Sequence, residues 1–389
     1  MKRFFFIIGF LSTILFFLTG CQQSSLIADK QAQIDKISEK WVPDHREGIC
    51  SITATNGSGE TIILKGETTV PEAKNEILNA LKGQNVTIID SISILPDTTL
   101  IKKSWGLATL SVINLRMEPD HAAEMASQAL LGTPMKVLKD GDSWILVQTP
   151  DNYIAWTEKS GVELMNETEI SNWKKSERLI FLENTGYIYS SPDESGLVGD
   201  IVAGSILVKK GESKGHVLAE LPDGREGYVR GKDILDFNVW KTTVPCTEES
   251  VCRTASRFLG LPYLWGASST KAVDCSGFAK AVYFMNGFIL SRDASLQAEH
   301  GLSIDISNGY DKLKKGDLLF FGSEHITHVA MYIGDSEYIH SSGRVKINSL
   351  DSARTNYSGY RKSSFKVARR IIGTANDPGI VPVRNHLWY

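Results

Sequence analysis

The sequence predicts an α+β protein assembled from several small units, on three observations. A strand–strand–helix–strand pattern runs from Trp41 to about Lys103. A repeat of short strands follows, its two copies 72 residues apart. After Pro245 the order changes to helix first, strands after. At 389 residues the chain exceeds one ordinary core, and its length suggests about two to four domains. It is 42% hydrophobic and 22% charged with no low-complexity tract, which excludes general disorder. A net charge of -3, from 42 basic and 45 acidic residues, gives no support to a nucleic-acid partner, which would want a basic stripe.

The N-terminus carries targeting signals. Lys2 and Arg3 precede the almost wholly apolar run Phe4 to Leu18, about the length of a signal core and short for a membrane span. Leu18-Thr19-Gly20-Cys21 then resembles the bacterial lipobox, in which the cysteine becomes the lipidated first residue. Residues 1–21 are therefore expected to be a lipoprotein signal peptide, with Cys21 as the lipidation site. Gln22, not Asp, follows, so nothing argues for retention at an inner membrane. The expected location is the cell envelope, periplasmic or on the outer-membrane face, with the protein anchored by lipid and not threaded through the membrane. Residues 22–40 read as a polar tether ending in a short helix.

Residues 41–104 read as a small α+β region. Ser51–Thr55 and Thr61–Leu64 flank the turn Asn56-Gly57-Ser58-Gly59, as in a hairpin. Pro71 suits a first helical turn; Ile77, Leu78 and Leu81 follow on one face, and Val86–Ile89 reads as a strand.

In the repeat, Gly132, Trp144, Pro150-Asp151, Ala155 and Trp156 recur as Gly204, His216, Pro222-Asp223, Gly227 and Tyr228. Both copies break short Val/Ile/Leu strands with Gly, Pro and Asp. Two small all-β barrels are expected, at about 105–170 and 176–238, and they resemble bacterial SH3-like domains. Tyr153 in the first copy stands where Arg225 stands in the second. The first also inserts His121-Ala122-Ala123-Glu124-Met125-Ala126-Ser127-Gln128, which reads as a short helix.

The chemistry lies in residues 245–372, before a C-terminal tail at 373–389. Glu248 to Leu259 reads as a helix closed by Gly260, and Asp274-Cys275-Ser276-Gly277-Phe278 opens a second helix that ends at Asn286-Gly287. Cys275 thus sits at a helix N-terminus, where free N–H groups and the macrodipole favour a thiolate, so its pKa is expected to fall. His328, in Thr327-His328-Val329-Ala330-Met331-Tyr332-Ile333-Gly334, opens a strand-like run. His340 ends the next one, after the turn Gly334-Asp335-Ser336-Glu337. Adjacent antiparallel strands would let His328 take the thiol proton and His340 orient it, the minimum set for a cysteine hydrolase. Cys246 and Cys252 are the only close cysteine pair, open to a bridge or to two thiols. No C-x-x-C or H-E-x-x-H spacing occurs, so no metal or cofactor is expected.

Pro262-Tyr263-x-Trp265-Gly266, Asp274–Phe278, Gly316-Asp317-Leu318-Leu319-Phe320-Phe321, His328–Gly334 and Tyr338-Ile339-His340 resemble, in order and spacing, the NlpC-type cell-wall cysteine peptidases. The resemblance implies a papain-like α+β core and hydrolysis of peptidoglycan stem peptides. Two SH3-like barrels before the peptidase resemble the branch of γ-D-glutamyl-L-diamino acid endopeptidases, of dipeptidyl-peptidase VI type. These cut peptides with a free N-terminal L-Ala, in wall recycling or remodelling. By that resemblance Cys275 is the nucleophile, His328 the base and His340 the third polar residue. Tyr263 helps polarise the scissile carbonyl. Asp274, Ser276 and Asp293 contact substrate, and Tyr153 and Glu124 reach the cleft from the first barrel. Ala267 and Ala330 depart from the usual glycines, Lys315 from a frequent proline and Ala294 from a serine. The expected partners are peptidoglycan-derived peptides and, through Cys21, the membrane, with the chain a monomer. A non-catalytic wall-binding lipoprotein would have lost Cys275 or His328, and neither is lost. An amidase or acyltransferase shares the thiol–imidazole set; Trp265, Asp274 and Ser276 disfavour it by resemblance alone.

Overall fold

The computed structural model describes residues 27–58, 60–82, 86–374 and 376–389. The apolar leader and Cys21 lie outside the described residues. The chain divides into two compact units, Met1–Leu100 and Ile101–Tyr389.

In the first unit, Cys50–Asn56 pairs antiparallel with Thr61–Thr68, which pairs parallel with Thr87–Ile94. A parallel pair needs a crossover, and the helix Pro71–Leu81 supplies it, with Pro71 in its first turn and Ala73, Ile77 and Leu81 buried. Residues 27–41 are helical, and Ile34 is buried in the same core as Ile52, Leu64 and Ile77. From residue 27 onward the expected tether is therefore part of this unit. Ile27, Ile34 and Ile37 line its apolar stripe among polar neighbours.

The second unit begins with two barrels of identical connectivity. The first has the strand order Val162–Met165, Trp105–Ala108, Pro134–Asp140, Trp144–Gln148, Ile154–Glu158, Val112–Arg116, Met125–Leu130. The second repeats it as Ile234–Asp236, Arg178–Phe181, Ile206–Ser213, His216–Glu220, Glu226–Arg230, Thr185–Tyr189, Leu197–Val202. The helix Glu167–Lys175 joins them, started by a capping box between Asn166 and Glu169. The helix expected at 121–128 is absent. Residues 121–123 form a turn, and Met125–Leu130 is a strand paired with Val112–Arg116. Here sheet pairing and burial of Ala126 and Ala129 override helix-favouring residues.

The remaining domain is a six-stranded antiparallel sheet in the order Leu302–Ile304, Phe365–Arg370, Leu318–Gly322, Ile326–Gly334, Glu337–Ser342, Arg344–Ser349. The helices Glu248–Ser256 and Cys275–Phe284 pack on one face through Val251, Phe278, Val282, Phe320, Val329 and Ile339. From residue 376 onward the C-terminal tail packs into this unit. Ile380–Pro382 pairs with Phe288–Leu290, and Trp388 and Tyr389 pack edge to face or tilted on Trp105, Phe237 and Phe284. This strap ties both barrels to the last domain. Cys246 and Cys252 are unbonded.

Candidate active site

Cys275 is the first residue of the Cys275–Phe284 helix, capped by Asp274, whose Oδ1 accepts from the Gly277 N–H at 2.6 Å. Gly277 lets this turn lie against the preceding loop, since a Cβ there would stand 2.1 Å from the Ala267 carbonyl oxygen. The backbone N–H groups of Val329 and Ser276 reach the thiol. The Ile326–Gly334 strand is thereby brought against the nucleophile, with His328 next to the contact.

His328 Nε2 and His340 Nδ1 lie 2.7 Å apart, and His340 Nε2 is 2.9 Å from Asn348 Oδ1. The Asn348 amide is oriented by its Nδ2, which donates to the Asn356 carbonyl at 2.7 Å. That orientation sets the polarity of the relay. An amide oxygen only accepts, so His340 carries its proton on Nε2 and presents a lone pair at Nδ1. His328 must then donate from Nε2, which leaves its Nδ1 as the basic nitrogen. Asn348 escapes sequence reading because it sits on a third strand. The signal was the hairpin turn at Ser342-Gly343, whose register pairs Tyr338 with Asn348 and His340 with Lys346.

Burial fixes the resting protonation. Cys275 is 6% exposed. Its thiol is pushed up to about 11 by burial and then by the Asp274 charge, against the two N–H contacts. Burial likewise holds His328 well below the usual imidazole range and His340 at about 4. The lowered thiol pKa expected from the helix N-terminus is therefore overruled. Asp274 already occupies one of the helix's free N–H groups, and desolvation outweighs the rest.

Tyr263 is held by backbone pairing of its N–H to the Gly343 carbonyl and of Leu264 to Val273. Burial, with the Cys275 and Asp274 charges, pushes its hydroxyl up to about 12, so it remains a donor.

Asp274 and Ser276, the expected substrate contacts, are buried and hydrogen-bonded. Arg292, 1% exposed, donates to Asp274 Oδ2 at 2.5 Å and Oδ1 at 3.2 Å, to Ser276 Oγ at 2.9 Å and to Ser127 Oγ of the first barrel at 3.1 Å. Asp274 Oδ2 also accepts from the Gly266 N–H at 2.9 Å. Sequence reading passed over Arg292, whose one signal was its place beside Asp293.

The first barrel reaches this domain at two carboxylates. The buried Tyr153 hydroxyl donates to Asp293 Oδ2 at 3.2 Å. The exposed Trp265 indole donates to Glu124 Oε1 at 2.6 Å. Gly266, at φ +79°, allows the approach, because a Cβ would meet the Met125 carbonyl oxygen at 2.2 Å.

The chain is similar to known proteins. The NlpC/P60 family profile matches residues 260–367, and that of the bacterial dipeptidyl-peptidase SH3 domain matches residues 115–162. The chain is 30% identical over 255 residues to dipeptidyl-peptidase 6 of Lysinibacillus sphaericus, covering 63% of this chain and 91% of that protein. It is 27% identical over 258 residues to a γ-D-glutamyl-L-lysine dipeptidyl-peptidase of Bacillus cereus, covering 63% and 76%. A crystal structure of an NlpC/P60 family protein from Bacillus cereus shares the fold, with a TM-score of 0.58 at 24% identity, over 69% of this chain and 99% of that one. With its thiol and imidazoles assembled on a papain-like sheet behind two SH3-like barrels, the chain belongs to the NlpC/P60 family of cysteine peptidases.

Proposed function

We propose that the protein hydrolyses the γ-D-glutamyl-L-diamino acid bond of peptidoglycan stem peptides that carry a free N-terminal L-Ala. The observation that carries this reading is the first barrel's placement of Tyr153 on Asp293 and of Glu124 on Trp265. Two carboxylates, Asp293 and Glu124, stand there to receive an ammonium, and the barrel blocks longer chains at that end. The names of the relatives, which act on γ-D-glutamyl-L-lysine peptides, agree.

The Cys275 sulfur attacks the scissile carbonyl carbon as its proton passes to His328 Nδ1. The Tyr263 hydroxyl donates to the developing oxyanion. Collapse breaks the C–N bond, and the leaving amine takes the proton from His328. Water, deprotonated by the same nitrogen, then cleaves the thioester and restores the thiol.

The test is incubation of the protein, wild type and Cys275→Ala, with L-Ala-γ-D-Glu-L-Lys and its N-acetylated form, read by mass spectrometry. Wild type should release L-Ala-γ-D-Glu from the free-amine peptide only, and Cys275→Ala from neither. Equal cleavage of the acetylated peptide would remove the amine pocket. An active Cys275→Ala would overturn the mechanism.

We also propose that Cys21 is lipidated and holds the enzyme at the cell envelope, supported by the apolar run before it. In cells fed labelled palmitate, wild type should take up label and Cys21→Ser should not; equal labelling sinks the anchor.

A further inference from the structure

Two cations stand beside the imidazole pair. Arg361, on the short helix Gly359–Ser363, stacks its guanidinium 5.8 Å from the Phe321 ring centroid and 5.4 Å from that of Tyr360. Phe321 faces His328 across the strand pair, and their rings are 5.9 Å apart. Lys346 faces His340 in the same way on the next pair. Among the described residues neither cation has a carboxylate within ion-pair distance, whereas Arg292, Arg354 and Arg370 each have one. The Arg361 charge acts on His328, His340 and Tyr338, and also on Tyr263, which stands on the loop at the nucleophile's other flank. Arg361 is therefore within electrostatic reach of the groups on both sides of the nucleophile.

An unpaired cation beside a base that must accept a proton works against the reaction unless the substrate brings an anion to it. Given the reading above, on which this inference rests, the substrate has one in the right place. The leaving amine takes its proton from His328 and so lies against that ring. The carbon bearing that amine also bears the α-carboxyl of the diamino acid. In a peptide that ends at this residue the carboxyl is a free carboxylate; in a longer or amidated one it is neutral.

We propose that Arg361, supported by Lys346, forms a carboxylate-binding subsite for the free α-carboxylate of the leaving diamino acid. The enzyme then favours peptides that end there over longer ones. The cleft is charged at both ends, with carboxylates for the substrate's amine and cations for its carboxylate, and so it selects a short, doubly ended peptide.

The test compares L-Ala-γ-D-Glu-L-Lys with its C-terminal carboxamide as substrates for wild type, Arg361→Gln and Arg361→Lys. Wild type should prefer the acid by about 10- to 100-fold in kcat/KM, mostly through KM. Arg361→Gln should bring the ratio toward one. Arg361→Lys should keep part of it, since lysine offers a point charge without the planar fork. A wild-type ratio near one overturns the subsite while leaving the amine-end reading intact. So does an unchanged ratio in Arg361→Gln with both rates lowered, the mark of a structural stack on Phe321. Wild type that cuts neither peptide overturns both readings.

Discussion

Burial pushes both Cys275 and His328 toward their neutral forms, the thiol up and the imidazole down. The thiol is pushed up to about 11 while burial depresses both imidazoles, so the usual order for a preformed ion pair is reversed. Thiolate is the reactive form, and with no cationic imidazole beside it in the neutral range its fraction follows the free titration. Alkylation of Cys275 by iodoacetamide should therefore rise about tenfold per pH unit between pH 6 and 9. A plateau extending to the acid side of pH 6 would show a preformed ion pair and contradict this assignment. The Asn348 amide belongs to the same scale. By accepting from His340 it decides which nitrogen of His328 is basic.

At the scale of elements, the Cys275–Phe284 helix is held at its N-terminus by a buried ion pair. Asp274 caps the helix, and Arg292 neutralises Asp274 while bonding Ser276 and the first barrel's Ser127. A buried pair adds little net stability, but breaking one strands the other charge. Arg292→Met should therefore cost about 3–5 kcal/mol in denaturant unfolding. The double change Arg292→Met with Asp274→Asn should cost less than Arg292→Met alone. If it costs as much or more, Arg292 acts through packing and not through charge. The identical connectivity of the two barrels makes the same point from the opposite side. One element plan is used twice, and the loop that carries Tyr153 in one barrel carries Arg225 in the other, where it donates to Thr109 of its neighbour.

Across the whole molecule, the first barrel and the peptidase domain meet beside the nucleophile's helix. The strap at 380–389 secures that junction by spanning the barrels and Phe284. Tyr153 is 4% exposed and reaches Asp293 from 140 residues away in sequence. Removing its hydroxyl leaves the ring packed but weakens the carboxylate's placement for an ammonium. Tyr153→Phe should raise KM for the free-amine peptide by about 10-fold with kcat nearly unchanged, the scale of one hydrogen bond to a charged group. An unchanged KM would remove Tyr153 from substrate recognition.

Much of this was legible in the chain. Motif order placed the nucleophile at a helix start and the imidazoles on adjacent strands. The repeat named two barrels, and the change after Pro245 marked the α+β domain. These are local signals, written in periodicity, turn chemistry and short-range spacing. What escaped is non-local. Strand pairing overrode helix propensity at 125–130, and a stripe of three isoleucines drew the supposed tether into a core. Asn348 joined the relay through the register of a third strand, and Arg292 claimed Asp274 across 18 residues. Residue type and spacing alone decided that a thiol, two imidazoles and two barrels would be present. Tertiary structure decided which partners each carboxylate takes and which way burial moves the thiol, because desolvation and pairing depend on what the fold packs beside each group.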